Sequence, residues 1–482
     1  MKNKYINFVK TIFLVGLLGL WLPSCNDYLD INDDPNNPIS LGGDYDLLIA
    51  DITNTMSYNI VGGGNFTRYS AQWMQQIADV SAPPSNDTYR FNTSDFNNEW
   101  AFYSYSTILI GCKDVIENGT VDGAMNHVAI AKIMMALNYG VLTDFFGAIP
   151  FSEALQRTGN LKPAYDSQEA VYDGIQTLLD EAIAAIDLDS PVEVGSGDFL
   201  LGGDMAKWRK VANMLKARYA LHLVNAPGKD PNMQAQAALN ALSEAMDSPA
   251  DEPRFVYMGG AGEEGPWNQW IEKFANTMKV SQNLLDMLTA LNDPRLPMMV
   301  DTSENTGTYV GHKNGNSNLP DELDDVSDIG IFYYQPETYI PVVTYVEQKF
   351  IEAEANLILG NMPEAEAAYA AAIKSHMSML SGEGETGETI SETEMDDYIT
   401  ANPLNDLEDL ITQKYLGLYL WGAAEVYNDF RRTGFPQLTP AMNALFNQIP
   451  TRIPYPDTEI NNNKENVPGG VTPTSKVWWD AD

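Results

Sequence analysis

The strongest constraint on the fold is a segment between Lys349 and Met379, where small residues recur at the places two antiparallel helices would touch. Ala353, Gly360, Ala365, Tyr369 and Ala372 take the small, turn, small, aromatic and small positions of a tetratricopeptide repeat. Small side chains let two helix backbones approach closely, and Gly360-Asn361 is a helix-ending signal. Pro363 falls in the first turn of the second helix, where an absent N–H breaks no helical bond. Lys349 and Glu352 stand where the repeat usually has Trp and Leu, so a helical hairpin of another kind is the competing reading. A lone pair cannot bury its apolar face, and more pairs are therefore expected.

Val171, Ile175, Leu178, Leu179, Ala182 and Ile186 follow helical spacing, as do Trp208, Val211, Ala212, Leu215 and Tyr219. Further helices are predicted over Asn98–Glu117, Met125–Phe146, Met233–Met246, Tyr345–Leu359, Pro363–Met379 and Leu407–Arg431. Gly-, Ser- and Asn-rich stretches at Val61–Asn65, Val194–Asp204, Asp301–Asp328 and Ser381–Glu394 read as long loops between them. With 44% hydrophobic and 10% aromatic residues the chain can fill a large core. The expected fold is all-α: tetratricopeptide-like helix pairs with long irregular insertions, in one domain over residues 41–482.

The N-terminus has its own logic. Lys2, Lys4 and Lys10 precede the apolar run Thr11–Leu22, too short to span a bilayer but suited to a secretion signal. Leu22-Pro23-Ser24-Cys25 is similar to a lipobox, so residues 1–24 are expected to be a lipoprotein signal peptide and Cys25 the lipid-anchored first residue. Residues 25–40, acidic and proline-bearing, read as an extended tether. Two or three acyl chains make such anchoring stable. Cys112 is then the only other cysteine, expected to be buried and reduced, with no structural disulfide. Without its first 24 residues, which hold three lysines and no acidic residue, the net charge moves from −38 to −41. A polyanion of this kind repels phosphate backbones, and no nucleic-acid partner is expected.

No catalytic constellation stands out. His127, His222, His312 and His376 are scattered, and the sequence has no His-Glu-x-x-His, no Gly-x-Ser-x-Gly and no phosphate loop. With 66 acidic residues, a carboxylate pair keeps a secreted, lipid-anchored hydrolase as the alternative function. The acidic run Asp321–Asp328 lacks the alternating ligands and glycine of a helix-loop-helix calcium site, so bound calcium is not indicated and no cofactor is expected. Loop aromatics suit a binder better: a sugar's C–H face packs on a ring while amides and carboxylates bond its hydroxyls. Trp73, Tyr89, Trp267, Trp270 and Tyr334 are the ligand-binding candidates, beside Phe91 and Tyr333, with Asn86, Asp87, Asn268 and Gln269 as polar companions.

Several stretches in order carry a family resemblance: CNDYLDINDDPNNP after the anchor, YGVLTDFFGAIPFSEAL (Tyr139–Leu155), PAYDSQE (Pro163–Glu169), TYVEQKFIEAEANLILGN (Thr344–Asn361), EVYNDFRRTGFPQL (Glu425–Leu438), RIPYP (Arg452–Pro456) and KVWWD (Lys476–Asp480). Together they resemble the SusD/RagB family of Bacteroidetes outer-membrane lipoproteins. The resemblance implies a non-enzymatic, nutrient-binding lid on the extracellular face of a SusC-like, TonB-dependent β-barrel transporter. The ligand it implies is an oligosaccharide or an oligopeptide, held by the irregular insertions while the helical repeats pack on the barrel. The acidic residues after Cys25 also resemble the surface-export signal of such lipoproteins. Ligand residues vary within the family and are not carried over. The motif residues themselves read as structural: Phe145-Phe146-Gly147 with Pro150 shaping a helix end, Arg431-Arg432 pairing with carboxylates, and Trp478-Trp479 fastening the tail.

Overall fold

In the Tyr345–Leu359 and Met362–Leu380 hairpin, Ala353, Ala365 and Ala372 are fully buried between the helices. Gly360 adopts φ +77°, and the first helix closes with Asn361 N–H bonding Asn356 O at 2.9 Å and Gly360 N–H bonding Leu357 O at 3.1 Å. This is the Schellman geometry, which requires a left-handed residue at Gly360. Lys349 and Glu352, in place of the repeat's usual apolar pair, form an ion pair at 2.7 Å on the partly exposed side.

The computed structural model describes residues 44–273, 277–318, 320–382 and 387–480. The signal peptide 1–24, Cys25 and the tether 25–40 lie outside the described residues. Within Tyr45–Asp482, successive helices pack each on the next: Ile110–Asp122, Met125–Phe146, Gln168–Ile186, Met205–His222, Pro231–Leu242, Tyr345–Leu359 and Met362–Leu380. The fold is all-α with tetratricopeptide-like pairs. Met125–Phe146 is buried on nearly every side, which explains a composition apolar enough to cross a membrane. Ser167 and Asp204 cap their helices by accepting from Ala170 N–H and Lys207 N–H.

Helices Pro231–Leu242 and Tyr345–Leu359 are neighbours in space, so residues 243–344 leave the stack and return as one large insertion. It carries three of the four short strands. Arg254–Met258 pairs antiparallel with Glu337–Pro341, and Met278–Val280 pairs with Ile77–Asp79.

Two expectations are corrected. Leu407–Arg431 is two helices, Leu407–Gly417 and Ala423–Thr433. The break is stabilised from outside: the buried Gln76 amide donates to Tyr415 O at 3.1 Å and accepts from Leu420 N–H at 3.2 Å, replacing ladder bonds where Leu420 takes φ +59°. Asn98–Glu117 is a wide, π-type segment, Asn98–Leu109, running into Ile110–Asp122. Cys112 is a free thiol in the core, its ionisation pushed far up by burial.

Candidate ligand-binding cleft

The sequence motifs converge on one closed frame. Asp144 accepts from Tyr172 Oη at 2.5 Å, Trp479 Nε1 at 3.0 Å and Asn428 Nδ2 at 3.2 Å. Gln168 Oε1 accepts from Trp478 N–H at 2.8 Å, fastening the C-terminal segment as expected of Trp478-Trp479. Gly147 ends its helix at φ +78°, and Ile453 N–H bonds Phe145 O at 3.0 Å across the corner. Arg432 pairs with Glu354 at 2.8 Å and Asp429 at 2.9 Å. Arg431 departs from expectation: it donates to the Asp144 and Thr451 carbonyls at 2.6 and 3.0 Å and stacks on Tyr427 and Trp479, because its helix end abuts main chain rather than acid.

The frame also pairs several buried acids. Arg218 forks onto Glu347 with two bonds of 2.6 Å. Glu425 meets His222 Nε2 at 2.9 Å; although burial opposes its charge, Arg218 and His222 hold its carboxyl well below the usual range. His222 Nδ1 lies 2.9 Å from Tyr172 Oη, His127 pairs with Asp46 at 3.0 Å, and His376 lies 3.1 Å from Arg295. Apart from the partly exposed Asp46, these side chains are buried and pair within the body.

The expected ligand aromatics divide. Trp73 is fully buried against Tyr69, Phe91 and Tyr427, Tyr89 is buried with its hydroxyl accepting from Ala441 N–H at 3.0 Å, and Trp267 is buried. All three are core, a correction to their reading as loop contacts: their rings are packed inside the body and closed to solvent. Trp270 and Tyr334 are half-buried near one another in the insertion, where Asn268 Nδ2 donates to Tyr334 O at 2.9 Å.

Beside Trp270 opens a cleft of about 760 Å³, a volume suited to a ligand of several rings or residues. Tyr58, Phe199, Phe255 and Tyr257 supply aromatic surface, Val256 and Met258 apolar surface, and Asn54, Gln269, Glu263 and Glu264 polar groups. Phe199, Val256 and Met258 are 54%, 58% and 68% exposed. The rings interlock: Phe199 meets Phe255 edge-on at 5.7 Å, Phe255 meets Tyr257 at 5.1 Å, and Tyr257 meets Tyr58 at 6.2 Å.

Local structure fixes the polar groups. Tyr58 Oη donates to Gln269 Oε1 at 2.6 Å, Gln269 Nε2 donates to Glu264 O at 3.1 Å, and Tyr257 Oη lies 3.1 Å from Ser57 Oγ. Tyr58 and Gln269 come from π-type segments, Met56–Gly62 and Gln269–Lys273, whose wide turns re-aim side chains off the helical register. Gly259, at φ +74°, makes the turn that presents Glu263 to solvent: a Cβ there would sit 2.6 Å from Glu337 Cγ.

Residues 39–456 match the family described as SusD-like_2, "Starch-binding associating with outer membrane". The chain belongs to the SusD/RagB-like family of Bacteroidetes outer-membrane nutrient-binding proteins. Among solved SusD-like structures, a SusD/RagB family protein from Bacteroides thetaiotaomicron is similar at TM-score 0.78 and 24% identity, covering 90% of this chain and 98% of that one. A chitin-binding protein matches at TM-score 0.79 and 25% identity over 91% and 100% of the two chains. A chitin-binding SusD homolog from Flavobacterium johnsoniae matches at 0.76 and 22% over 91% and 99%. No curated protein matches.

In this SusD-like chain no group of three or more His, Cys, Asp or Glu side chains among the described residues is arranged to hold a metal. The acidic run Asp321–Asp328 closes on itself and its neighbours: Asp325 accepts from Glu322 N–H and Asn305 Nδ2, and Asp328 pairs with Lys279 at 2.6 Å. The cleft aromatics Phe199, Phe255 and Tyr257 escaped the sequence reading. A faint signal existed in Phe255-Val256-Tyr257-Met258, an apolar run beside Gly259-Gly260, and in Phe199 inside a Gly-rich stretch.

Proposed function

We propose that this protein is a cell-surface lipoprotein, anchored through Cys25, that captures an oligomeric nutrient in the aromatic cleft and acts as the lid of a SusC-like, TonB-dependent barrel. The cleft carries the reading: four rings with exposed apolar neighbours, bordered by an exposed carboxylate and amides, in a chain of the SusD-like family. Interlocked rings offer flat apolar faces to successive sugar units, while Asn54, Gln269 and Glu263 reach hydroxyls. The chitin-binding SusD-like relatives support an oligosaccharide as ligand. Trp270 and Tyr334, at the same end of the insertion, extend the contact surface.

The body acts as a lid, and uptake is performed by the barrel. Calorimetric titration of the mature protein with maltoheptaose and chitohexaose tests capture, and copurification with the adjacent barrel tests the lid. Binding with copurification is expected; neither oligomer nor a mixed peptide binding, or a barrel that purifies alone, contradicts the proposal.

A further inference from the structure

The three successive glycines Gly62-Gly63-Gly64 build a corner that no other residue could occupy. A Cβ on Gly62 would collide with Ser57 O and one on Gly64 with Asn59 O, while one on Gly63 would lie 2.7 Å from Pro266 Cβ and 3.4 Å from Trp270 Cδ1. The corner brings the start of helix Asn65–Trp73 against Pro266 and Trp270. Arg68, in the first turns of that helix, lies flat on the Trp270 indole with its guanidinium carbon 3.4 Å from the ring centre. Its Nε donates to Gly63 O at 3.0 Å, and Nη2 donates to Asn65 Oδ1.

The guanidinium is held in place but not neutralised. Among the described residues no carboxylate lies within 4 Å of Arg68, in a chain with 66 acidic residues and 28 basic ones. Glu99, the first acid in electrostatic effect, accepts from Asn65 N–H through Oε1 at 3.3 Å and acts on Arg68 from beyond 4 Å. Desolvation dominates at Arg68 and lowers its pKa to about 10. Nη1 makes no hydrogen bond among the described residues, so its two protons are uncommitted. The Arg68 charge reaches the Tyr58 hydroxyl, which lines the cleft, and Trp270 follows the cleft residue Gln269 directly.

We propose that Arg68, stacked on Trp270 and neighbouring the cleft residues Tyr58 and Gln269, is a binding residue for a carboxylate carried by the ligand, so that the oligomer taken up is an acidic one. The proposal rests on the cleft being the ligand site. An indole-backed guanidinium with two anchored nitrogens loses little freedom when it bonds a carboxylate, and the helix start adds positive potential. Glu263 and Glu264 also line the cleft, so the carboxylate is received at the Arg68 end, while the more distant negative charge is screened over about 8 Å in physiological salt. A uronic-acid oligosaccharide and an acidic peptide share this chemistry.

The test is calorimetric titration of the purified mature protein and its Arg68→Gln and Arg68→Lys variants. The probes are trigalacturonate against its carboxyl-reduced trisaccharide, and triglutamate against triglutamine. The expected result is a preference above tenfold for one acidic probe over its neutral partner; the pair showing it identifies the source of the carboxylate. Arg68→Gln abolishes that preference while neutral-probe binding persists, and Arg68→Lys, keeping charge without the planar stack, restores it only in part. Neutral and acidic probes binding equally, or a preference that survives Arg68→Gln, overturns the inference while leaving the cleft intact. Loss of binding to every probe on replacing Phe199 and Phe255 by Ala shows that the cleft is the site; binding unchanged by that replacement refutes the cleft and the inference with it.

Discussion

The buried frame and the open cleft are built from different kinds of residue. In the frame, Asp144 meets Trp479, Arg432 meets Glu354 and Glu425 meets His222 inside the core, each pair joining segments far apart in sequence. In the cleft, Phe199, Val256 and Met258 stand exposed and Glu263 faces solvent. Among the described residues, the motifs that carry the family resemblance belong to the frame, so they specify how the stack is closed and say nothing about cargo. The cleft residues stand on an insertion, a loop and wide helical turns, where a side chain can change without unpairing a buried charge.

That contrast should appear as opposite responses to substitution. The largest effect is expected in the frame: Arg432→Met leaves Glu354 without its buried partner and Asp429 with Lys414 alone, and should cost about 3–5 kcal/mol, read as a lower urea midpoint. The frame should also be acid-sensitive through Glu425. Its folded pKa is depressed by Arg218 and His222, so its contribution is complete above the unfolded value near 4.5 and is lost as pH falls through the folded one. Glu425→Gln should therefore flatten the decline of stability below pH 4.5; an unchanged decline would place the acid sensitivity elsewhere.

Trp479→Phe keeps most of the ring and removes the bond to Asp144, leaving a buried acceptor short of a donor; about 1–3 kcal/mol is expected in the same unfolding measurement. Gly360→Ala has open space for its methyl and pays only for the left-handed backbone, about 1 kcal/mol. Smallest in stability is Phe199→Ala in the cleft, expected within about 0.5 kcal/mol of the parent while its ligand affinity falls.

Much of the frame was legible in the sequence because helical periodicity and small-residue spacing are local signals. Met125–Phe146 and Tyr345–Leu359 begin and end where their apolar pattern does. The break after Gly417 was not legible, because Gln76, which satisfies it, is remote in sequence and nothing near Leu420 announces it. The cleft was located only to its neighbourhood. The stretch after Gly259-Gly260 was identified, but Trp267 turns inward and the strand before it turns out, a choice made by its pairing with Glu337–Pro341. Trp73 was misread for a similar reason: its burial depends on Phe91 and Tyr427, which the chain supplies from elsewhere.

The most direct test of the division between frame and cleft is calorimetric titration of the Phe199→Ala, Phe255→Ala double variant beside the parent, using the best-binding oligomer from the oligosaccharide and peptide probes. Removing the exposed Phe199 ring and the half-buried Phe255 ring should lower affinity at least tenfold, with a smaller fall in the unfolding midpoint than Arg432→Met causes. An affinity equal to that of the parent would contradict the account and place the ligand elsewhere on the insertion.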